Sequence, residues 1–236
     1  REESNIFEAL NNNYIEDDEY EFKYTTEIKP RNKLQEEYTN HLYNDNISII
    51  FSVGPAGTGK TYISCNYAIK QYLEENIRKI IITRPTVSVD EDHGFLPGSM
   101  NDKMKPWLQP IYDNFSKSIS TSYLQKLIKY ENIEICPLAY MRGRTFDDCI
   151  IIADEMQNST ENQMKMLLTR IGENTKLIIN GDLNQSDNNR NGLKDFIFKY
   201  KNCNLCEKDK IKIIEFKNED IQRNPIIKTV LKIYEE

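Results

Sequence analysis

The sequence has no long apolar run and only two histidines in 236 residues. No stretch approaches the roughly 18 consecutive apolar residues that a membrane-spanning helix needs. No cationic segment followed by an apolar one forms a leader. From these absences we expect a cytoplasmic protein that makes no membrane contact.

Cysteine is also sparse, and the five cysteines cannot all pair because their number is odd. Cys65, Cys136 and Cys149 lie inside apolar runs, as small core residues do, which favours a reducing compartment. Cys203 and Cys206 form one CxxC pair without a second pair or a nearby histidine. An incidental pair is therefore the favoured interpretation over a metal or redox site.

The chain has no basic run, and its net charge of −6 is unusual for a nucleic-acid-binding protein. Most of that charge lies in residues 1–22, which hold eight acids and one arginine. The remaining residues hold 30 basic and 29 acidic side chains. We expect an acidic, flexible extension over residues 1–25 and a nearly neutral domain over residues 26–236. A nearly neutral domain can contain a local basic groove, but its net charge does not predict one.

Glycine is scarce, yet three of the nine glycines fall within six positions of GPAGTGKT, residues 54–61. This segment follows the apolar run 47–53 and opens a helical pattern at Lys60. It therefore satisfies the phosphate-loop (Walker A) pattern GxxxxGK[ST] in the required context of strand, loop and helix. Glycines there let successive backbone N–H groups point at phosphate oxygens, beside the positive end of a helix dipole.

Phosphate chemistry assigns roles to the side chains of this loop. Lys60 is expected to reach the β- and γ-phosphates of ATP, and the Thr61 hydroxyl is expected to bind Mg²⁺. The expected nucleotide contacts are Gly54, Pro55, Ala56, Gly57, Thr58, Gly59, Lys60, Thr61 and Tyr62.

Acidic and amide side chains follow two later apolar runs. The run CIIIADE, residues 149–155, ends in Asp154 and Glu155. As a Walker B element, Asp154 would hold Mg²⁺ and Glu155 would polarise the attacking water; solvent-facing acids are the alternative. The run 176–182 leads to Gln185, which is placed to sense the γ-phosphate.

Strand-like and helical patterns alternate along the chain, which favours a parallel sheet covered on both faces and a single α/β domain. Residues 86–110 are rich in glycine, proline and acids and predict a long functional loop. The six strand-like runs are 47–53, 78–85, 133–140, 149–155, 176–182 and 210–216.

Several strings together resemble the PhoH family of P-loop ATPases, whose core is similar to the first motor domain of superfamily 1 helicases. HGFLPG (93–98) and PLAYMRGRT (137–145) discriminate this family, while DEMQNST (154–160) and GDLNQ (181–185) extend the match. The resemblance runs from about Pro30 to Tyr234. It implies a RecA-like P-loop NTPase fold, a three-layer sandwich around a mostly parallel sheet, with ATP and Mg²⁺ as cofactors.

The resemblance also implies roles for residues that the spacing of the motifs alone does not predict. Gln35 would read the adenine base, and Arg223 would complete the ATP site as an arginine finger. The family commonly has histidine after that arginine, where this chain has Asn224. Arg84 would contact a nucleic-acid strand.

Arg142 and Arg144 are separated by one glycine, directly after a predicted strand. Two guanidinium groups in this position can bind the phosphates of single-stranded RNA or DNA, or the γ-phosphate of a neighbouring subunit. The alternative is a structural role in ion pairs with acids such as Asp147 and Asp148.

The leading hypothesis is an ATPase that couples hydrolysis to binding or remodelling of RNA or single-stranded DNA. The alternative is an ATP-dependent oligomeric switch that does not process nucleic acid. Ribonuclease activity ranks third, since no histidine-based acid–base pair is visible. A superfamily 1 motor needs two domains and this chain has length for one, so we expect a homo-oligomer, with a hexameric ring as one form.

Overall fold

The computed structural model describes residues 27–85, 100–185, 191–204 and 208–222. The expectations for the acidic extension, for HGFLPG, for Cys206 and for Arg223 lie outside these ranges. Within them, no helix has both the length and the apolar character needed to cross a membrane.

The described strands form one six-stranded sheet in which every neighbouring pair is parallel, in the order β3-β2-β4-β5-β1-β6. This confirms the predicted parallel α/β sheet. Each of the six strand-like runs contains a strand, but the run 133–140 is a strand only over its first three residues and continues into the 3₁₀ helix Leu138–Met141. The strand bounds are β1 Ile49–Val53, β2 Lys79–Thr83, β3 Ile133–Ile135, β4 Cys149–Ala153, β5 Lys176–Gly181 and β6 Ile211–Glu215.

Six α-helices connect and flank the strands within the described ranges: α1 Lys33–Leu42, α2 Lys60–Leu73, α3 Met100–Phe115, α4 Thr121–Lys129, α5 Glu161–Leu168 and α6 Gly192–Asn202. Side-chain caps mark several of their starts. Asn32 accepts from the Gln35 backbone N–H at 2.8 Å before α1. Thr160 and Gln163 form a reciprocal capping box before α5.

Alternate strand residues serve opposite faces of the sheet, because successive side chains of a strand point to opposite sides. Ile50 and Ile82 face the cluster that includes α1 to α4. Phe51 and Ile81 face the cluster that includes α5 and α6. The molecule thus has the expected three layers, with a buried isoleucine-rich sheet between two helical layers.

The prediction of a loop over residues 86–110 is wrong for its last part, because α3 begins at Met100. That prediction rested on the glycine, proline and acid content of the segment, to which Pro106 and Pro110 contribute, and proline removes a backbone donor from a helix. Leu108, Ile111 and Phe115 nevertheless share one helical face and are buried in the core. Burial of that face outweighs the local cost of the prolines.

Replacement of Phe115 by alanine tests this packing. Phe115 is fully buried, so its loss leaves a cavity, and we expect the free energy of unfolding to fall by about 3–5 kcal/mol. Phe198→Ala is the matched control, because that ring is 68% exposed and its loss should change stability by at most about 0.5 kcal/mol. Urea unfolding measures both values, and equal effects would contradict the assigned core.

Candidate active site

The candidate site lies where β1, β4 and β5 end, because the carboxyl ends of neighbouring parallel strands share one edge of the sheet. A cleft of about 530 Å³ opens there, a size that suits a nucleotide. Of the residues predicted from the sequence, those that line it are Gln35, Ala56, Gly57, Gly59, Lys60, Thr61, Tyr62, Asp154, Glu155 and Gln185.

The phosphate loop leaves β1 through a glycine that no other residue can replace without strain. Gly54 has φ +137°, and a Cβ atom there would lie 2.3 Å from the Phe216 carbonyl oxygen. Its N–H donates to the Gly181 carbonyl at 3.0 Å, which ties the loop to the end of β5. The loop backbone is thus wedged between β5 and the segment after β6.

Lys60 is the first residue of α2, and its side chain folds back across the loop. Its Nζ donates to the carbonyl oxygens of Gly54 at 2.6 Å and Pro55 at 2.8 Å. Thr58 adds a hydrogen bond from its Oγ1 to the same Pro55 carbonyl at 3.0 Å. A single ammonium group therefore organises the loop at the N-terminus of a helix, where backbone N–H groups have no helical partner.

Thr61 and Asp154 meet across the cleft, with the Thr61 hydroxyl donating to Asp154 Oδ1 at 3.2 Å. Burial raises the pKa of Asp154, and the neighbouring Glu155 carboxylate adds to this, while Arg84 and the hydrogen bond from Thr61 oppose it. The electrostatic stabilisation that a bound cation gives to a carboxylate is largest when the carboxylate is buried in this way.

The hydroxyl of Thr61 and the carboxylate of Asp154 fit Mg²⁺, which binds one or two protein oxygens and completes its shell with water and phosphate. Across the described part of the chain there is no group of three or more histidine, cysteine, aspartate or glutamate side chains able to hold a metal. The donor set thus favours an ion that enters with a phosphorylated ligand over a closed protein cage.

Glu155 follows Asp154 in the left-handed backbone region, at φ +55°, which a glutamate rarely adopts. Gln157 Nε2 donates to Glu155 Oε2 at 2.6 Å, and Gln157 Oε1 accepts from the Asp182 backbone N–H at 3.1 Å. We assigned Gln157 no role from the sequence. Its place in the string DEMQNST, two residues after Glu155, is a sequence signal that could have pointed to it.

Gln35 reaches the phosphate loop from α1. Its Nε2 donates to the Thr58 carbonyl at 2.9 Å, and its Oε1 accepts from the Arg31 backbone N–H at 2.8 Å. A Cβ atom at Gly59 would lie 2.9 Å from Gln35 Nε2, so the two residues are in close contact. Gln35 therefore lines the cleft and also holds the phosphate loop in place. That it binds the adenine base stays a prediction.

Two further amide residues approach the cleft. Gln185 is exposed, and its N–H donates to the Asp182 carbonyl at 3.2 Å in a tight turn after β5. Gln222 donates its backbone N–H to the Gly57 carbonyl at 2.9 Å. The chain after β6 thus returns to the phosphate loop at the residue that precedes Arg223.

The three arginines predicted to bind nucleic acid have different surroundings. Arg84 follows β2, and its charge opposes the rise in the pKa of Asp154 that burial causes. Arg142 is exposed beside Gly143, whose φ is +79°. Arg144 donates to Glu134 Oε1 at 2.6 Å and lies 4.5 Å from the centre of the Phe146 ring.

The structure corrects the suggested ion-pair partners of Arg144. Asp147 accepts instead from the Glu173 backbone N–H at 2.7 Å, and Asp148 lies 3.7 Å from Arg78. Burial raises the pKa of Glu134, but hydrogen bonds from Arg144 and Lys79 outweigh it and leave that pKa below its ordinary value. Arg144 thus anchors its turn to β3.

Comparisons with known proteins point to one family. A family model described as PhoH-like protein matches residues 27–235. The chain is 40% identical over 209 residues to the PhoH-like protein of Bacillus subtilis, which covers 89% of this chain and 64% of that relative. It is 39% identical over 215 residues to Protein PhoH of Escherichia coli K12, covering 89% and 59%. The chain therefore spans less than two thirds of the length of these relatives.

One solved structure that part of the chain matches is the Sulfolobus solfataricus SWI2/SNF2 ATPase core in complex with dsDNA. The TM-score is 0.43 at 16% identity, and the match covers 67% of this chain and 33% of that one. This likeness is too distant to indicate function.

The buried carboxylate of Asp154 leads to a stability prediction. Because folding raises the pKa of Asp154, its charged form costs stability at neutral pH, and this cost disappears below the pKa of the unfolded chain. Asp154→Asn should therefore raise the free energy of unfolding at pH 7, with a gain that shrinks as the pH falls through the raised pKa of folded Asp154 and vanishes below about 4. Chemical unfolding across pH checks this, with the exposed Asp113→Asn as control. A loss of stability at pH 7 would contradict it.

Proposed function

The chain belongs to the PhoH family, and from that membership we propose that it binds ATP with Mg²⁺ and hydrolyses it to ADP and phosphate. One observation carries the proposal: an organised phosphate loop, the Thr61–Asp154 pair and Glu155 all line a single cleft. A phosphate loop alone supports binding, whereas hydrolysis also needs a group that handles the proton of water. Glu155 supplies that group.

The hydrolytic step follows from these positions. Lys60 leaves the loop carbonyls to neutralise the β- and γ-phosphates. Glu155 accepts a proton from water as the water oxygen bonds to the γ-phosphorus. The bond between that phosphorus and the β–γ bridging oxygen breaks, and ADP leaves with the electron pair. Mg²⁺ held by Thr61 and Asp154 would offset charge on the phosphate oxygens.

Three more residues complete the proposed site: Gln185, predicted from its position after the run 176–182, and Gln35 and Arg223, predicted from the family resemblance. Gln35 reads adenine and Gln185 contacts the γ-phosphate; both line the cleft, which supports their roles. Arg223 acts as the arginine finger. The contact of its neighbour Gln222 with Gly57 supports approach within the same chain.

We further propose that single-stranded RNA or DNA binds at the turn that carries Arg142, and that Arg84 contributes from the end of β2. Tyr140 is 57% exposed and Arg142 is exposed, so an aromatic ring and a cation that are both open to solvent lie two residues apart in this turn. Stacking on an aromatic ring combined with phosphate contacts is how single strands are held without sequence preference. Arg144 supports this surface through Glu134.

A homo-oligomeric ring and a cytoplasmic location stay predictions. The oligomeric switch without nucleic-acid processing is the second candidate, favoured by the net charge of −6. Size-exclusion chromatography with and without ATP, beside a gel-shift assay with single-stranded RNA, separates the switch from an ATPase that acts on nucleic acid.

The ribonuclease alternative gains no support from the described residues, which hold no cluster of metal-binding side chains.

Two substitutions test hydrolysis directly. Lys60→Ala removes the ammonium group of the loop and should abolish ATP binding measured by calorimetry with Mg²⁺. Glu155→Gln keeps the size of the side chain but cannot accept the proton, so ATP should still bind while the rate falls about 100-fold or more. Lys126→Ala, an exposed lysine on α4, is the control. Wild-type hydrolysis by the Lys60 variant would overturn the proposal.

The two arginines of the turn should respond differently. Arg142→Ala should remove any increase of ATPase rate caused by single-stranded RNA without changing stability, because its side chain is exposed. Arg144→Ala should lower the free energy of unfolding by about 1 kcal/mol, since the Arg144 side chain is 41% exposed and its ion pair with Glu134 is partly screened by solvent. If single-stranded RNA still raised the ATPase rate of the Arg142→Ala variant as much as that of the wild type, the proposed nucleic-acid surface would be contradicted.

A further inference from the structure

A buried glutamine lies between two loops of the candidate site without lining the cleft itself. Gln157 is 1% exposed and belongs to the short 3₁₀ helix Met156–Asn158 after β4. Its amide bridges the Glu155 carboxylate, at 2.6 Å, and the Asp182 backbone N–H, at 3.1 Å. It therefore joins the end of β4 to the end of β5 beside the proposed general base.

The chemistry of the two partners leaves one orientation for this amide. A backbone N–H requires an acceptor, so Gln157 Oε1 must face Asp182. An ionised carboxylate can only accept, so the NH₂ group must face Glu155. Both ends are matched, and rotating the amide by half a turn would oppose donor to donor and acceptor to acceptor.

Close packing holds the glutamine in this place. A Cβ atom at Gly181 would lie 3.0 Å from Gln157 Oε1 and 2.4 Å from Leu193 Cδ2, so the bridge depends on a glycine at the end of β5. On its other side, the bridge restrains Glu155, whose φ of +55° is costly for a residue with a side chain.

We propose that Gln157 is a positioning residue that orients the Glu155 carboxylate to accept the proton of the attacking water. This inference rests on the proposed ATP hydrolysis. One carboxylate oxygen, Oε2, is held by the amide, which sets the direction of the other. Since Asp182 starts the turn that carries Gln185, the same bridge links the proposed γ-phosphate contact to the proposed base.

Gln157→Met tests the role, because methionine keeps the approximate volume and removes both hydrogen bonds. We expect the Kd for Mg-ATP to stay within about threefold of wild type and kcat to fall about 10- to 100-fold, as for other residues that orient a catalytic group. The matched control is Gln163→Met. That amide also accepts from a backbone N–H, from Thr160 at 2.8 Å, but belongs to the capping box of α5. Its kcat should be unchanged.

A double-mutant cycle separates positioning from general destabilisation. If Gln157 acts through Glu155, adding Gln157→Met to Glu155→Gln should cause no further loss in the single-turnover rate of ATP cleavage. A structural role independent of Glu155 would lower that rate by the same factor in both backgrounds, which would overturn the inference.

Gln157→Glu keeps the acceptor for Asp182 while placing a second carboxylate against Glu155. Gln157→Glu should lower kcat at least as much as Gln157→Met does. If the methionine variant does not fold, the kcat of the glutamate variant tests the positioning role instead. If the wild-type protein hydrolyses ATP and either folded variant has the same kcat, the inference about Gln157 is overturned while the proposed function stands. Absence of hydrolysis by the wild-type protein overturns the proposed function, and the role of Gln157 falls with it.

Discussion

The absence of a side chain at residue 54 is the constraint on which the site depends. Gly54 passes so close to the Phe216 carbonyl that a Cβ atom would lie 2.3 Å from it, while its N–H binds the Gly181 carbonyl at 3.0 Å. The strands on both sides of β1 therefore set the direction in which the phosphate loop leaves the sheet. Lys60 can bind the Gly54 and Pro55 carbonyls only because the loop turns back at this point.

The remaining site residues are held relative to this loop by short polar contacts across the strand ends. Thr61 binds Asp154, Gln35 binds the Thr58 carbonyl, and Gln222 binds the Gly57 carbonyl. Each contact joins a different element to the loop, so the loop, the acids and the chain after β6 form one connected edge. In the proposed ATPase, this edge would connect a bound γ-phosphate to the turn after β5.

Much of this arrangement could be predicted because its signals are local. Apolar runs identified the strands, and the glycine spacing before Lys60 identified the loop. What sequence reasoning missed depends on distant partners. The apolar face of α3 is stabilised by the core despite two prolines. Gln157 accepts a hydrogen bond from the backbone N–H of Asp182, the residue after β5, and Arg144 pairs with Glu134 instead of the acids that are nearer in sequence.

The central claim is that this edge of the sheet is an ATP site, and a crystal structure with Mg²⁺ and a non-hydrolysable ATP analogue tests it most directly. The account predicts the triphosphate on the backbone N–H groups of residues 57–61, with Lys60 Nζ moved from the Gly54 carbonyl to the phosphates and the metal at Thr61 and Asp154. A triphosphate bound elsewhere, or Lys60 still on the loop carbonyls beside a bound analogue, would contradict it.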